Sequence, residues 1–311
     1  MRILIWHLHG SWTTAFVSGR HEYLVPVTPD RGPFGRGRAQ TWDWPESVKE
    51  VSPEQLRNEH VDVVIVQRPE ELFELAPRWL GRVPGVDLPA IYLEHNAPQG
   101  RIADMVHPAD PRPNMVLVHV THFNDLFWHS PAIPTRVIEH GIPDPGYRYS
   151  GELPRVAVAI NEPVRRMRVV GTDLLPRFER VAPLDVFGIG AGKIGGFDDP
   201  PQQVLHSEMP RRRAYLHPFR WTSLGLALIE AMHLGMPVVA LATTEAVEAV
   251  PPEAGTISTN IDKLASALQL LIEDEEVARA KGKAARQAAL ERYGLARFLK
   301  EWDDLLEEAT R

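Results

Sequence analysis

The stretch "WTSLGLALIEAMHLGMPVVAL", Trp221 to Leu241, combines two hydroxyl residues, a run of helix formers with one acid two turns in, and a Gly-x-Pro turn leading into an apolar β run. Thr222 or Ser223 suits the cap of a helix, and the first-turn amides beyond it lack intrahelical partners. Such a terminus carries roughly half a positive charge and holds anions. Gly225 would let ligand atoms approach the backbone closely. Glu230 lies seven residues past Ser223, which predicts the same helix face ~10 Å along the axis. That separation suits phosphates at one end of a ligand and vicinal hydroxyls further along, as in a nucleoside diphosphate whose ribose meets the carboxylate. The plainer reading is a surface glutamate. Against it, Leu226 and Leu234 stand four residues to either side, so no Lys or Arg pairs with the acid along the helix.

Other chemistry is bounded by composition. With no cysteine, disulfides, thiolate metal sites and cysteine nucleophiles are excluded. A net charge of −7 argues against general nucleic-acid binding. Basic residues cluster at Arg165, Arg166 and Arg168 and again at Arg211, Arg212 and Arg213, where the ordinary reading of the second group is a solvated face. "GIGAGKIGG" (188–196) holds the spacing Gly190-x-Gly192-x-x-Gly195 after a strand, but Gly196, Pro200 and Pro201 would break the helix that a dinucleotide fingerprint must open. The adjacent aspartates of "FDDP" (197–200) read as a turn rather than a metal site. No Gly-Lys-Ser/Thr phosphate loop or nucleophile-elbow serine is present.

Short apolar runs must position these groups. "RILIW" (2–6), "EYLVPV" (22–27), "VDVVIV" (61–66), "AIYLEH" (90–95) and "MVLVHV" (115–120) read as strands, several of them apolar on both faces as in a buried parallel sheet. A second set follows at "RVAVAI" (155–160), "LDVFGI" (184–189), "AYLH" (214–217) and "PVVAL" (237–241), with helical patterns near 171–181, 224–234 and 261–291. Alternation of this kind predicts an α/β fold of two Rossmann-like, doubly wound domains facing a cleft, with ligands at the carboxyl ends of the strands. At 311 residues the chain suits two such domains. The Pro- and Gly-dense 140–154 predicts a linker with little packing of its own, and 29–45 a long irregular loop. No apolar run reaches the ~20 residues that span a bilayer, and "MRILIWHLHG" lacks a secretory cleavage site, so a cytoplasmic location without a transmembrane segment is expected.

"HPFRWTSLGLALIEAMHLGMPVVAL" resembles the donor-binding segment of retaining glycosyltransferases of family 4, which have the two-domain GT-B fold. That segment usually carries two glutamates eight positions apart. Glu230 matches the second, which in the family contacts the nucleotide ribose, and Thr222 stands where the first, at the donor sugar, should be. "RVIEHGIPD" (136–144) is similar to the stretch ending the family's first domain. The resemblance implies an acceptor-side domain over 1–143, a linker over 144–154, a nucleotide-sugar domain over 155–290, and a last helix, 291–311, packing back on the first domain. Family lysine and arginine hold the diphosphate after the strand at 155–160; here the lysine slot is Val170, and Arg165, Arg166 or Arg168 would take over, since guanidinium grips phosphate in a two-pronged way. Gly10 falls where the family has a phosphate-side glycine, Gly188 and Gly190 where it has a glycine pair near the base, and Ser223, Leu224 and Gly225 where the turn meets the donor. His95 matches a histidine that touches the donor sugar, with His119 and His122 competing for that slot, so His95 and Thr222 are the catalytic candidates. The implied activity is retaining transfer from a nucleotide sugar, a co-substrate rather than a cofactor, to a glycan, a lipid-linked sugar or a small molecule, with no metal. A nucleotide- or sugar-binding scaffold without turnover is the alternative, because the first glutamate and the lysine are missing. A nicotinamide enzyme fits poorly with the broken glycine fingerprint.

Overall fold

Runs apolar on both faces become strands covered on both sides, and in the computed structural model, which describes residues 1–109 and 111–311, they build two parallel sheets. The chain divides into two units, Met1–Ile142 with Leu295–Arg311, and Pro143–Gly294.

The first unit begins with β1 (Arg2–Ile5), α1 (Gly10–Val17), β2 (Glu22–Pro26), β3 (Val48–Val51), α2 (Pro53–Leu56) and β4 (Val63–Val66). A π-helical turn over Glu71–Leu75 runs into α3 (Ala76–Leu80), followed by β5 (Ala90–Glu94), β6 (Met115–His119), α4 (His122–Phe127) and β7 (Thr135–Val137). The sheet order is β3-β2-β1-β4-β5-β6-β7. It reverses at β1, where Ile3 pairs in parallel with Tyr23 on one side and Val63 on the other. Open α/β sheets bind ligands beyond the carboxyl ends of the strands at such a reversal. Residues 29–45 contain no long element, but they are anchored: Trp44 is buried and its Nε1 donates to Thr14 Oγ1 at 2.8 Å.

The second unit holds β8 (Leu153–Ala159), α5 (Pro163–Val170), α6 (Leu175–Phe178), β9 (Leu184–Gly188), β10 (Phe197–Asp198), α7 (Gln202–Glu208), β11 (Arg212–His217), α8 (Leu226–Leu234), β12 (Val238–Leu241), α9 (Ala246–Ala249), β13 (Gly255–Ser258), α10 (Ile261–Glu273) and α11 (Glu275–Arg292). Its order, β10-β9-β8-β11-β12-β13, reverses between β8 and β11. The helical pattern expected over 261–291 is two helices, broken at Asp274, whose Oδ1 accepts the amides of Glu276 and Val277 and caps α11. α11 packs closely on the end of α8, because a Cβ at Gly282 would stand 2.0 Å from Gly235 O.

The Pro- and Gly-rich segment is not loosely packed as the sequence suggests. The amides of Arg148 and Tyr149 donate to Leu234 O at 3.1 and 3.0 Å, and those of Ser150 and Gly151 to Pro210 O at 3.1 Å each. Tyr149 is buried and its hydroxyl donates to Arg213 O at 2.8 Å, while Asp144 pairs with Arg286. Backbone donors left over in an irregular segment thus find acceptors along the second unit. The last helix, α12 (Leu295–Ala309), belongs to the first unit, where Phe298 and Trp302 stand edge-on to Trp12 at 5.9 and 5.6 Å.

Candidate functional site

In the second unit, β11 ends at His217 and the chain turns through 218–225 before α8. Neither Thr222 nor Ser223 caps this helix. The N-cap is Gly225, with φ −71° and ψ 120°, and no side chain caps the first turn. The reason is packing: Ser223 and Leu224 turn inward and are buried, and His217 lies against Gly225 so closely that a Cβ there would come within 2.8 Å of the ring's Cε1. The absent side chain of the glycine leaves room for that imidazole. Because α8 starts at Leu226, Ser223 is outside the helix and the 10 Å spacing to Glu230 does not apply. Leu228 N donates to Gly225 O at 2.9 Å, a tight first turn with the amides of Leu226 and Ala227 ahead of it. Thr222 is half-buried in the preceding turn.

Glu230 is buried, 4 % exposed, on the second turn of α8. Its Oε2 lies 3.6 Å from Nε2 of His206 on α7, and that same nitrogen lies 2.6 Å from Gln202 Nε2. Glu230 is thus not an ordinary surface acid, and an imidazole from another helix stands beside it.

The three arginines after β8 separate. α5 is kinked at Met167, with φ 22° and ψ −92°, so they do not share one regular helix face. Arg165 is exposed beside Glu162 at 3.7 Å, and Arg168 pairs with Asp173 at 3.3 Å. Arg166 is half-buried and has no carboxylate partner among the described residues. Burial, then Arg165, holds its guanidinium below the ordinary value. Val170, in the lysine slot, is fully buried in the core. Arg220, which sequence reasoning passed over, grips Asp173 with both terminal nitrogens at 2.6 and 2.9 Å.

Gly188 and Gly190 close the end of β9. Gly188 has φ 137°, and a Cβ there would stand 2.4 Å from Ile160 O. Gly190, at φ 77°, donates its amide to Asp198 Oδ1 at 2.6 Å, so "FDDP" spends a carboxylate on the neighbouring turn. The basic run 211–213 is not a solvated face. Arg212 and Arg213 are buried: Arg212 Nε donates to Asp185 at 2.7 Å, and Arg213 reaches Gly151 O at 2.6 Å and Glu275 at 2.9 Å.

In the first unit, Gly10 is not in a turn; it is the first residue of α1, after the N-cap His9, and a Cβ on it would stand 3.2 Å from Trp42 Nε1. His95 directly follows β5. Its Nε2 lies 2.9 Å from Gln67 Oε1, and its ring centroid lies 4.2 Å from that of His9. His9, Gln67 and His95 thus gather beyond β1, β4 and β5, on both sides of the sheet reversal. Burial, with Arg36 and Arg68 nearby, pushes His9 down to about 4, and burial with His9 and His140 holds His95 well below the ordinary histidine range. Next to Gln67, Glu71 is pushed up to about 7 by burial, against the pull of Arg68. The two competitors of His95 lie apart from this group: His119 is sealed in the interior, pushed to about 4 by burial, and His122 is exposed at the start of α4. His9, Gln67 and His206 were missed by sequence reasoning; the first two carry one signal, a polar side chain just past an apolar strand.

Residues 196–288, from β10 into α11, match the family model described as glycosyl transferases group 1. The chain carries a glycosyltransferase domain. The matched segment includes Thr222, Ser223 and Glu230, and sugar transfer is the chemistry of that domain. No curated protein matches the sequence. Solved structures give the same two-unit α/β architecture, the GT-B fold. Sucrose-phosphate synthase of Thermosynechococcus elongatus superposes with a TM-score of 0.75 at 13 % identity, over 99 % of this chain and 98 % of that one. Anabaena HepE, in complex with UDP-glucose, gives 0.67 at 15 % identity over 99 % and 100 %. A glycosyltransferase from Rickettsia africae gives 0.65 at 11 % identity over 100 % and 98 %. Among the described residues no helix is long and apolar enough to cross a membrane.

Proposed function

We propose that this protein is a retaining, metal-independent glycosyltransferase that uses a nucleoside diphosphate sugar. The observation that carries the reading is Glu230, a carboxylate buried on the second turn of α8 inside the matched segment and the one acid of that helix, whose two oxygens are of the kind that accept the paired hydroxyls of a ribose. In this reading Arg166 and the first-turn amides of α8 stabilise the diphosphate as it departs, the role a metal would otherwise take. The bond between the anomeric carbon and the phosphate oxygen breaks, the acceptor oxygen bonds to that carbon on the same face, and the acceptor's proton leaves with the diphosphate. HepE was solved with UDP-glucose, which makes UDP-glucose the first donor to try.

Release of nucleoside diphosphate from a panel of nucleotide sugars, in excess chelator, tests the reading. Turnover in chelator supports it; turnover that needs added magnesium or manganese overturns metal independence. A second reading, a scaffold that binds without turnover, is favoured by Thr222 and by Val170, which is buried where the lysine would stand. Tight nucleoside diphosphate binding with no release from any donor would select it.

A further inference from the structure

The two ring nitrogens of His95 are distinguished by a short chain of hydrogen bonds. Trp6 O is a backbone carbonyl and only accepts. Gln67 Nε2 lies 2.8 Å from it, which turns the amide nitrogen toward Trp6 and the amide oxygen toward His95. An oxygen 2.9 Å from His95 Nε2 needs a hydrogen there, so Nε2 carries the proton and Nδ1 of the neutral ring is a lone pair. Gln67 is itself fixed: it is buried, and its own amide donates to Glu71 Oε2 at 2.6 Å. The ring is held by His9 at 4.2 Å and by the edge of Trp12 at 5.3 Å. Nδ1 has no hydrogen bond among the described residues.

We propose that Gln67 is a positioning residue that locks His95 as the Nε2–H tautomer, so that Nδ1 meets the substrate as an acceptor for a sugar or acceptor-molecule hydroxyl. The proposal rests on the reading that His95 meets substrate. A lone pair accepts an O–H and repels a phosphate oxygen, so this arrangement selects a hydroxyl at that point. Protonation of Nδ1 would replace the acceptor with a donor. The titratable groups acting on the ring are His9 and His140, and both, after burial, oppose that protonation; Arg36, Arg68 and His7 stand beyond and act on His9.

The test uses full-length protein labelled with 15N-histidine, with the His95 signals assigned by their absence in His95→Gln. In ligand-free wild type, His95 shows one tautomer, protonated at Nε2. Gln67→Leu, which removes the acceptor, gives a mixture and lowers kcat for UDP-glucose on the order of tenfold or more, with donor KM within about threefold. Gln67→Glu keeps an acceptor, restores the single tautomer and most of kcat, and moves the acid limb of the pH profile upward because a carboxylate favours the imidazolium. Wild type protonated at Nδ1, or Gln67→Leu with tautomer and kcat both unchanged, overturns the proposal. The spectra need no turnover, so they decide the tautomer even if the transferase reading fails.

Discussion

His206 Nε2 stands 3.6 Å from Glu230 Oε2, joining α7 to the acid of α8. A carboxylate withdrawn from water is costly unless something compensates it. The imidazole is one of the groups that can do this, and in the proposed reading the hydroxyls of a ribose would add to it.

Glu230→Gln should therefore weaken nucleoside diphosphate binding by about 1.5–3 kcal/mol, the range of a charged hydrogen bond, while the protein still folds. Calorimetry with UDP and the other nucleoside diphosphates checks this. Unchanged affinity for the best of them removes Glu230 from the site.

Three buried histidines give a second expectation. Burial pushes His119 down to about 4, and His140 and His217 to about 3. Their unfolded value is about 6.5, so between there and the folded value the unfolded chain binds more protons. Stability from these rings is present above pH 6.5 and falls as the pH drops through that window, by about 1.4 kcal/mol per unit for each ring. Denaturant unfolding at pH 7.5 and pH 5 should show a clear loss at pH 5, with uptake of at least three protons, since His9 and His95 are held low as well. A flat profile would mean that these rings are protonated in the native state.

Much of the fold was legible because its central strands are apolar throughout, as in β4, "VVIV", whose residues are all buried. The edges were not: β3 is "VKEV" and β13 is "GTIS", short and partly polar because one side has no sheet neighbour or little cover. Glu230 stood out as an acid in an apolar helix. The start of that helix did not, since it depends on His217 packing against Gly225, a contact eight residues apart that no capping rule contains. Likewise nothing in "RRR" reveals Asp185 or Glu275, which lie 27 and 62 residues away.

Asp185 supports a third prediction. Burial works to raise its carboxyl, but hydrogen bonds from Arg155 and Arg212 outweigh this and leave it below the ordinary value. Asp185→Ala leaves the buried Arg212 with Glu208 alone and should cost about 3–5 kcal/mol. A depressed carboxyl stabilises the fold above its unfolded value, near 4, and loses that effect as pH falls through the folded value. Urea curves of variant and wild type should thus lie well apart at pH 7 and converge toward pH 3. A constant gap would show that the loss is one of packing rather than charge.

Gly282→Ala gives the last. In an exposed helix this change is favourable by up to about 1 kcal/mol, because alanine has less backbone freedom to lose. Here the added Cβ would stand 2.0 Å from Gly235 O and 3.4 Å from Pro237 Cδ, so α11 must move away from the end of α8. Close-packed helices do not absorb such a shift without strain, and overpacking costs about 1–3 kcal/mol. The variant should therefore be less stable than wild type despite its better helix propensity. Since Glu230 lies one turn before the C-terminal end of α8, nucleoside diphosphate affinity should fall with it. Gly282→Ser, with a similar clash and poorer propensity, should be worse in both respects. A rise in melting temperature for Gly282→Ala would show that α11 can yield at this contact and that Gly282 does not set the position of α8.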